Sequence, residues 1–308
     1  MNQSEIKQYV ENNPKMVSKK PVGDNIFLLK YKASVFYNAT WNEFLENCRG
    51  TIVDSDFNVV TRTFNKAYNF RVEKNAPDLS DDTPVTAYRK VNGFFCAMTW
   101  HNNDVLVSTT GTTDSIFVGY AKEMMLKHMP WEDWKLVLSA PDCQGMTLMF
   151  EVCHPSDPHI IPEKTGLYFL GWRENTWDSK VHGFGISNAQ SWKDFAETAL
   201  HCYFPEYMET TVGEIVNLSK TVQHEGFMAW TEDGTCVKIK SPHYLVNKFI
   251  ARKSPEKLII VLKNNNYKEM VAEEFYPMCE YLKENLVEFT DMDEQTRLGY
   301  IRKYLETH

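Results

Sequence analysis

Lys90 stands in the run Ala87-Tyr-Arg-Lys-Val-Asn-Gly-Phe-Phe95, whose pattern predicts a strand end followed by a tight turn. Gly93 follows it by three residues, and Asn92-Gly93 is a strong turn signal. Alone, this lysine–glycine spacing is weak, because a surface lysine before a turn produces the same pattern. Its weight comes from residues further along the chain. Phe150-Glu151 closes an expected strand 61 residues after Lys90. His224-Glu225-Gly226-Phe227 puts a carboxylate and a glycine at the start of another strand, 74 residues after Glu151. Val237-Lys-Ile-Lys-Ser241 comes next, and strand alternation sets Lys238 and Lys240 on one face. Two ammoniums on one buried face repel and lose solvation. A polyanion held between them removes both costs.

The elements that must carry these residues are mainly short strands from Asn25 to about Ser241. Ile26–Tyr31 reads as a strand, and Gly50–Asp54 with Val59–Arg62 as a hairpin. Phe94–Trp100 and Val105–Thr109 form a second hairpin around His101-Asn-Asn-Asp104. Thr147–Cys153, Leu167–Trp172, Gly226–Trp230 and Cys236–Ile239 read as further strands. Helices are expected at Trp41–Asn47, Ser115–Lys127 and Trp192–His201. After Ser241 the apolar spacing turns helical over Tyr244–Arg252, Pro255–Lys263, Lys268–Leu286 and Asp293–Leu305. The expected division is therefore a sheet-rich domain over residues 1–241 and a small helical domain over 242–308.

Length and composition set outer bounds. The chain has 308 residues, 43% hydrophobic and 24% charged, which are globular proportions. No apolar stretch reaches the roughly 20 residues of a membrane span, and the polar start, Met1–Lys20, has no signal-peptide core. A soluble, cytoplasmic protein is expected. Seven scattered cysteines with no CxxC pair indicate neither a zinc site nor a disulfide framework. The net charge of −8 argues on its face against a nucleic-acid partner. That total averages over unlike regions. Lys238, Lys240, Lys248, Arg252, Lys253, Lys257, Lys263 and Lys268 form a basic run broken only by Glu256, and acids dominate from Glu269 onward. Two solvated helix faces are the plain reading. A phosphate-binding strip beside the body, with an acidic far side, is the sharper one.

The ordered set KxxG, acidic strand end, aromatic strand, EG and KxK resembles the covalent nucleotidyltransferases, the polynucleotide ligases and mRNA capping enzymes. Upstream, Glu46-Asn-Cys-Arg-Gly-Thr-Ile-Val53 and Thr61-Arg-Thr-Phe-Asn-Lys-Ala-Tyr-Asn-Phe70 resemble two segments of bacteriophage RNA ligase 1, as does Trp172-Arg-Glu-Asn175. The likeness covers roughly residues 25 to 245. It implies an α+β fold: an ATP-grasp-like nucleotidyltransferase domain of antiparallel sheets with flanking helices, followed by the helical domain. It implies an enzyme that uses ATP and Mg²⁺ or Mn²⁺ to join RNA 5′-phosphate and 3′-hydroxyl ends, with tRNA among the candidate substrates. A cytoplasmic monomer serving RNA repair is expected, in an infected host cell if the chain is phage-encoded.

The resemblance also implies roles. Lys90 would be the nucleophile, its pKa lowered by Lys238, Lys240 and a bound divalent cation. Lys238 and Lys240 would stabilise the α-phosphate. Gly93 would let the backbone turn close to the nucleotide. Glu225 would help hold the metal, and Glu151 the ribose hydroxyls or a metal-bound water. Phe169 would stack on adenine, with Arg49, Lys66 and Tyr37 lining the nucleotide pocket. His154 is read as a loop or pocket-edge residue. One departure stands out: Thr110-Gly111 falls where the phage enzymes carry a lysine-glycine pair. The last 68 residues leave no room for the strand-rich OB barrel of DNA ligases and capping enzymes. The alternatives are a GTP-using, capping-type nucleotidyltransferase and a catalytically silent RNA-end-binding protein. Retention of every charged motif residue weighs against the latter.

Overall fold

The computed structural model describes residues 2–182, 189–252 and 255–307. Three sheets form the body. The first is antiparallel and orders Val17–Gly23, Ile26–Tyr31, Arg49–Asp54 and Val59–Thr61 side by side. The second orders Gly166–Glu174, Met146–Cys153, Phe94–His101 and Asp104–Ser108, also antiparallel. The third orders Tyr207–Thr211, Pro84–Arg89, Gly226–Trp230, Cys236–Lys240 and Tyr68–Asn69. Its last pairing is parallel and the rest antiparallel. The α+β class with antiparallel sheets and flanking helices is thus as expected.

The second sheet carries the largest core. Helices Ile116–His128 and Trp131–Ser139 lay Met124, Met125, Trp134 and Leu138 against Phe150 and Phe169, all fully buried. Burial of each such side chain contributes roughly 1.5–3 kcal/mol. The first helix starts on a cap, with the Ser115 hydroxyl accepting from the Val118 N–H at 3.3 Å. It ends on Lys127 and His128, which suit the negative pole of the helix dipole.

A separate apolar core gathers the chain after Ser241, built from Val246, Phe249, Leu258, Phe275, Met278, Leu282, Phe289 and Ile301. The expected helix Lys268–Leu286 is interrupted there. Two 3₁₀ turns, Tyr267–Glu269 and Glu273–Phe275, precede the helix Tyr276–Glu284. Pro277 sits in that helix's first turn, where its missing N–H costs nothing. The side chains of Arg252, Lys253 and Glu256 lie outside the described residues. At the other end, the polar start hides a helix, Gln3–Asn12, opened by a reciprocal Asn2–Glu5 capping box. Among the described residues no helix is long and apolar enough to cross a membrane.

Candidate active site

A cavity of ≈ 800 Å³ is lined by residues of all three sheets. Lys90 enters it from the end of strand Pro84–Arg89, and its backbone N–H donates to Gly226 O at 2.8 Å. That bond ties the lysine to the Glu225-Gly226 strand start. Gly226 has φ +125°, and a Cβ there would stand 2.1 Å from Ile239 O. Only glycine allows this close crossing of strands. Gly93 has a similar reason. A Cβ on it would lie 2.3 Å from Val152 O, so its absence lets the Lys90 turn settle on strand Met146–Cys153. Gly93 also lines the cavity, as expected of a residue beside the nucleotide pocket, and its missing Cβ is required by the strand carbonyl.

The Lys90 ammonium pairs with Glu225 Oε2 at 3.0 Å. Glu151 Oε1 accepts from the Gly93 N–H at 3.2 Å. Both carboxylates therefore flank the same turn. Burial opposes the charge on Lys90, but the attraction of Glu225 and Glu151 outweighs it and raises the lysine's pKa. The expected lowering by Lys238 and Lys240 is absent. Burial pushes Glu151 up, against the pull of Lys90.

Lys66, Lys238 and Arg49 line the same cavity. Lys66 reaches it from the loop before Tyr68–Asn69, steadied by two buried arginines. Arg62 is fully buried, bonded to Asn47, to Thr51 Oγ1 at 3.2 Å and to Thr176 O at 3.2 Å. Arg173 holds Thr63 O and Asn65 Oδ1, each at 2.9 Å. Burial, then repulsion from Lys66, pushes Lys238 down to about 8. Lys240 lies 3.9 Å from Glu225 Oε1. Thr110 also lines the cavity.

Unforeseen acids complete this end of the site. Glu73 accepts from Lys66 at 2.7 Å. Glu273 receives Lys66 at 2.9 Å and Lys238 at 3.3 Å. Glu274 receives Lys240 at 2.9 Å and also pairs with Lys248. The acids after Glu269 thus do not all belong to a far side, since Glu273 lines the cavity and Glu274 pairs with Lys240. The run of acids was visible in the sequence, but nothing local marked these two.

A scan of family models against the sequence matches one described as RNA ligase over residues 47–249, about two thirds of the chain. The chain belongs to the RNA ligase family. The likeness to phage RNA ligase 1 read from its motifs is borne out. Two solved structures titled archaeal ATP-dependent RNA ligase, forms 2 and 1, resemble this family member in fold, each with a TM-score of 0.57. They are 12% and 10% identical, covering 99% and 97% of this chain and 77% and 76% of theirs. An Aquifex aeolicus protein, titled as a candidate ATP-dependent DNA ligase, is similar to the same degree, at 12% identity, 97% and 77% coverage and TM-score 0.57. No curated protein is significantly similar in sequence.

Two expected pocket residues of this RNA ligase family member lie elsewhere. Phe169 faces the opposite side of its sheet, within 5.6 Å of Phe150 and 5.8 Å of Phe195. Leu170 lines the cavity instead. Besides Tyr31, Tyr68 and Tyr88, the cavity is lined by a ring wall of Phe64, Phe95 and Trp230, with Phe64 set edge-on to Phe95 at 5.8 Å. Tyr37 does not line the cavity and lies beside Phe36, 6.0 Å ring to ring. His154 is buried away from the cavity, stacked on Tyr120 at 4.0 Å and bonded to Glu123 at 3.0 Å.

Proposed function

We propose that this member of the RNA ligase family uses ATP to join an RNA 5′-phosphate to a 3′-hydroxyl, through lysyl-AMP and adenylylated RNA. One observation carries the reading: Lys90 lines a cavity that Lys66, Lys238 and Arg49 also line. In the first step the neutral Lys90 amine attacks the α-phosphorus. A P–N bond forms, the P–O bond to pyrophosphate breaks, and the lysine's proton leaves to solvent or to an adjacent carboxylate. Lys238 and Lys240 take up charge on the phosphates as it develops. Lys66 and Arg49 receive the outer phosphates and the 5′-phosphate of RNA. The ring wall of Phe64, Phe95 and Trp230 is the face for adenine.

A divalent cation fits the donor set. Glu225 and Glu151 are two carboxylates beside one lysine, and Mg²⁺ commonly takes one or two carboxylates with substrate phosphates. Among the described residues no three His, Cys, Asp or Glu side chains cluster to hold an ion, so Glu225 and Glu151 would hold it together with the substrate. When bound, the cation supplies positive charge that lowers the barrier to phosphoryl transfer and favours the free amine. The chain after Ser241 is read as a small helical domain, the protein as a monomer acting in RNA repair, and tRNA as one candidate substrate.

The test is transfer of label from α-labelled ATP with Mg²⁺. Wild-type protein takes up label and Lys90→Ala does not. Equal labelling of both sinks the mechanism, and preference for labelled GTP would favour a capping-type enzyme. Ligation of a nicked anticodon loop against a linear single strand then separates the candidate RNAs.

A further inference from the structure

Glu273 and Glu274 stand where the reaction needs phosphates. Glu273 gathers Lys66 at 2.9 Å, Lys238 at 3.3 Å and the Asn69 side-chain amide at 3.2 Å. One carboxylate thus collects donors from separate elements of the body, as a phosphoryl group would. Glu274 does the same for Lys240 and Lys248. Their side chains are 11% and 5% exposed, so these are desolvated pairs rather than surface ones. Both acids come from the chain after Ser241, whereas Lys66, Lys238 and Lys240 belong to the body.

The local build projects the acids outward. Phe275, the next residue, is buried in the C-terminal core, 5.2 Å ring to ring from Phe249. It anchors the 3₁₀ turn Glu273–Phe275 while the two preceding carboxylates reach across to the body. Tyr276 adds an edge contact with Phe36 at 6.4 Å. The helix Pro242–Arg252 begins right after strand Cys236–Lys240 and Ser241, so the C-terminal core hangs from the strand that carries both lysines.

We propose that Glu273 and Glu274 are internal surrogates for nucleotide phosphates, so that docking of the C-terminal segment and binding of ATP exclude one another. The proposal rests on the ligase reading of the cavity. The same ammoniums cannot serve carboxylates and a triphosphate together, because bringing phosphates beside buried carboxylates sets like charges side by side in a poorly solvated site. In the docked state the surrogates offset the repulsion among three lysines. In the nucleotide-bound state they withdraw as the segment swings away. Pyrophosphate release then returns the lysines to the acids. The apparent affinity for ATP is reduced by the fraction of molecules that are docked.

The experiment compares single-turnover labelling of wild type and E273Q/E274Q across ATP concentration. If docking holds about nine molecules in ten closed, the half-saturating ATP falls about tenfold in the variant. An unchanged or higher value overturns the proposal while leaving the ligase reading intact. Absence of label in wild type overturns both. Should the variant fold poorly, hydrogen exchange in the wild-type chain decides. Adding Mg²⁺ and an ATP analogue with a non-cleavable α,β bridge speeds exchange of the backbone amides at 273–276 at least tenfold. Slower or unchanged exchange rejects the displacement.

Discussion

The two ends of the cavity hold lysines by different means. At the nucleophile end, Lys90 is paired with Glu225 at 3.0 Å, and Glu151 braces its turn. Glu151 belongs to a strand of the body, and Glu225 directly precedes one. At the other end, Lys66, Lys238 and Lys240 are met by Glu273 and Glu274 from the C-terminal segment, with Glu73 and, at 3.9 Å from Lys240, Glu225 contributed by the body. An acid built into the sheet is a permanent partner. An acid carried on a second core can leave. Equal-looking salt bridges thus predict opposite outcomes when their carboxylates are neutralised.

The largest effect is at the nucleophile. Lys90→Ala loses the attacking amine, so labelling falls by about 10⁴-fold or more. Variants at the other end, such as Lys238→Ala, still form the adduct, slowly. Mass spectrometry of the protein after incubation with ATP separates the two, and an adduct on Lys90→Ala would erase the difference between the ends.

Next comes Phe169, which tests whether the cavity wall has been placed correctly. Phe169→Ala empties a fully buried site between Phe150 and Phe195 and is expected to cost about 3–5 kcal/mol in urea unfolding. The ATP dependence of labelling stays as in wild type. Loss of ATP affinity without loss of stability would return Phe169 to the pocket.

Much of this site was readable in the sequence, because each motif sits in a strand or directly beside one. Lys90, Glu151, Glu225 and Lys238 converge because paired strands bring these positions together whatever the loops between them. Phe169 escaped that logic. The strand Gly166–Glu174 has a register shift between Phe169 and Gly171, and alternation does not say which face meets helices and which meets the cavity. The expected lowering of the Lys90 pKa failed for a different reason. Glu225 and Glu151, the latter meeting Gly93 from 58 residues away in sequence, attract the ammonium more strongly than burial opposes its charge. Contacts at that separation leave no periodic trace.

Glu225 and Glu273 give the direct contrast. Glu225→Gln is expected to slow labelling about a hundredfold, roughly 2.7 kcal/mol in the barrier, whereas Glu273→Gln speeds it at limiting ATP. The pH profile carries a second signature. The Glu225 charge helps raise the Lys90 pKa, and the reactive form is the neutral amine. Labelling by wild type therefore climbs with pH into the alkaline range. In Glu225→Gln the climb starts and levels off at lower pH. A profile that moves to higher pH would show that Glu225 does not set the charge on Lys90.

The smallest effect separates two carboxylates that share one lysine. Glu73 and Glu273 both bind Lys66, yet burial and its neighbour push Glu73 up to about 7, while Lys238, Lys66 and the bond from Glu73 hold Glu273 down at about 2 against its own burial. A raised carboxyl contributes stability that is full below its ordinary value, near 4.5, and is lost as pH rises through 7. A lowered one contributes stability present above 4.5 and lost as pH falls through 2. The windows do not overlap. Glu73→Gln should flatten the decline in unfolding free energy between about pH 4.5 and 7, by on the order of 1 kcal/mol. Glu273→Gln should leave that window alone and change the acid limb. If both variants flatten the same window, the two carboxylates act as one body-side group, and the contrast between a fixed and a removable acid fails at this lysine.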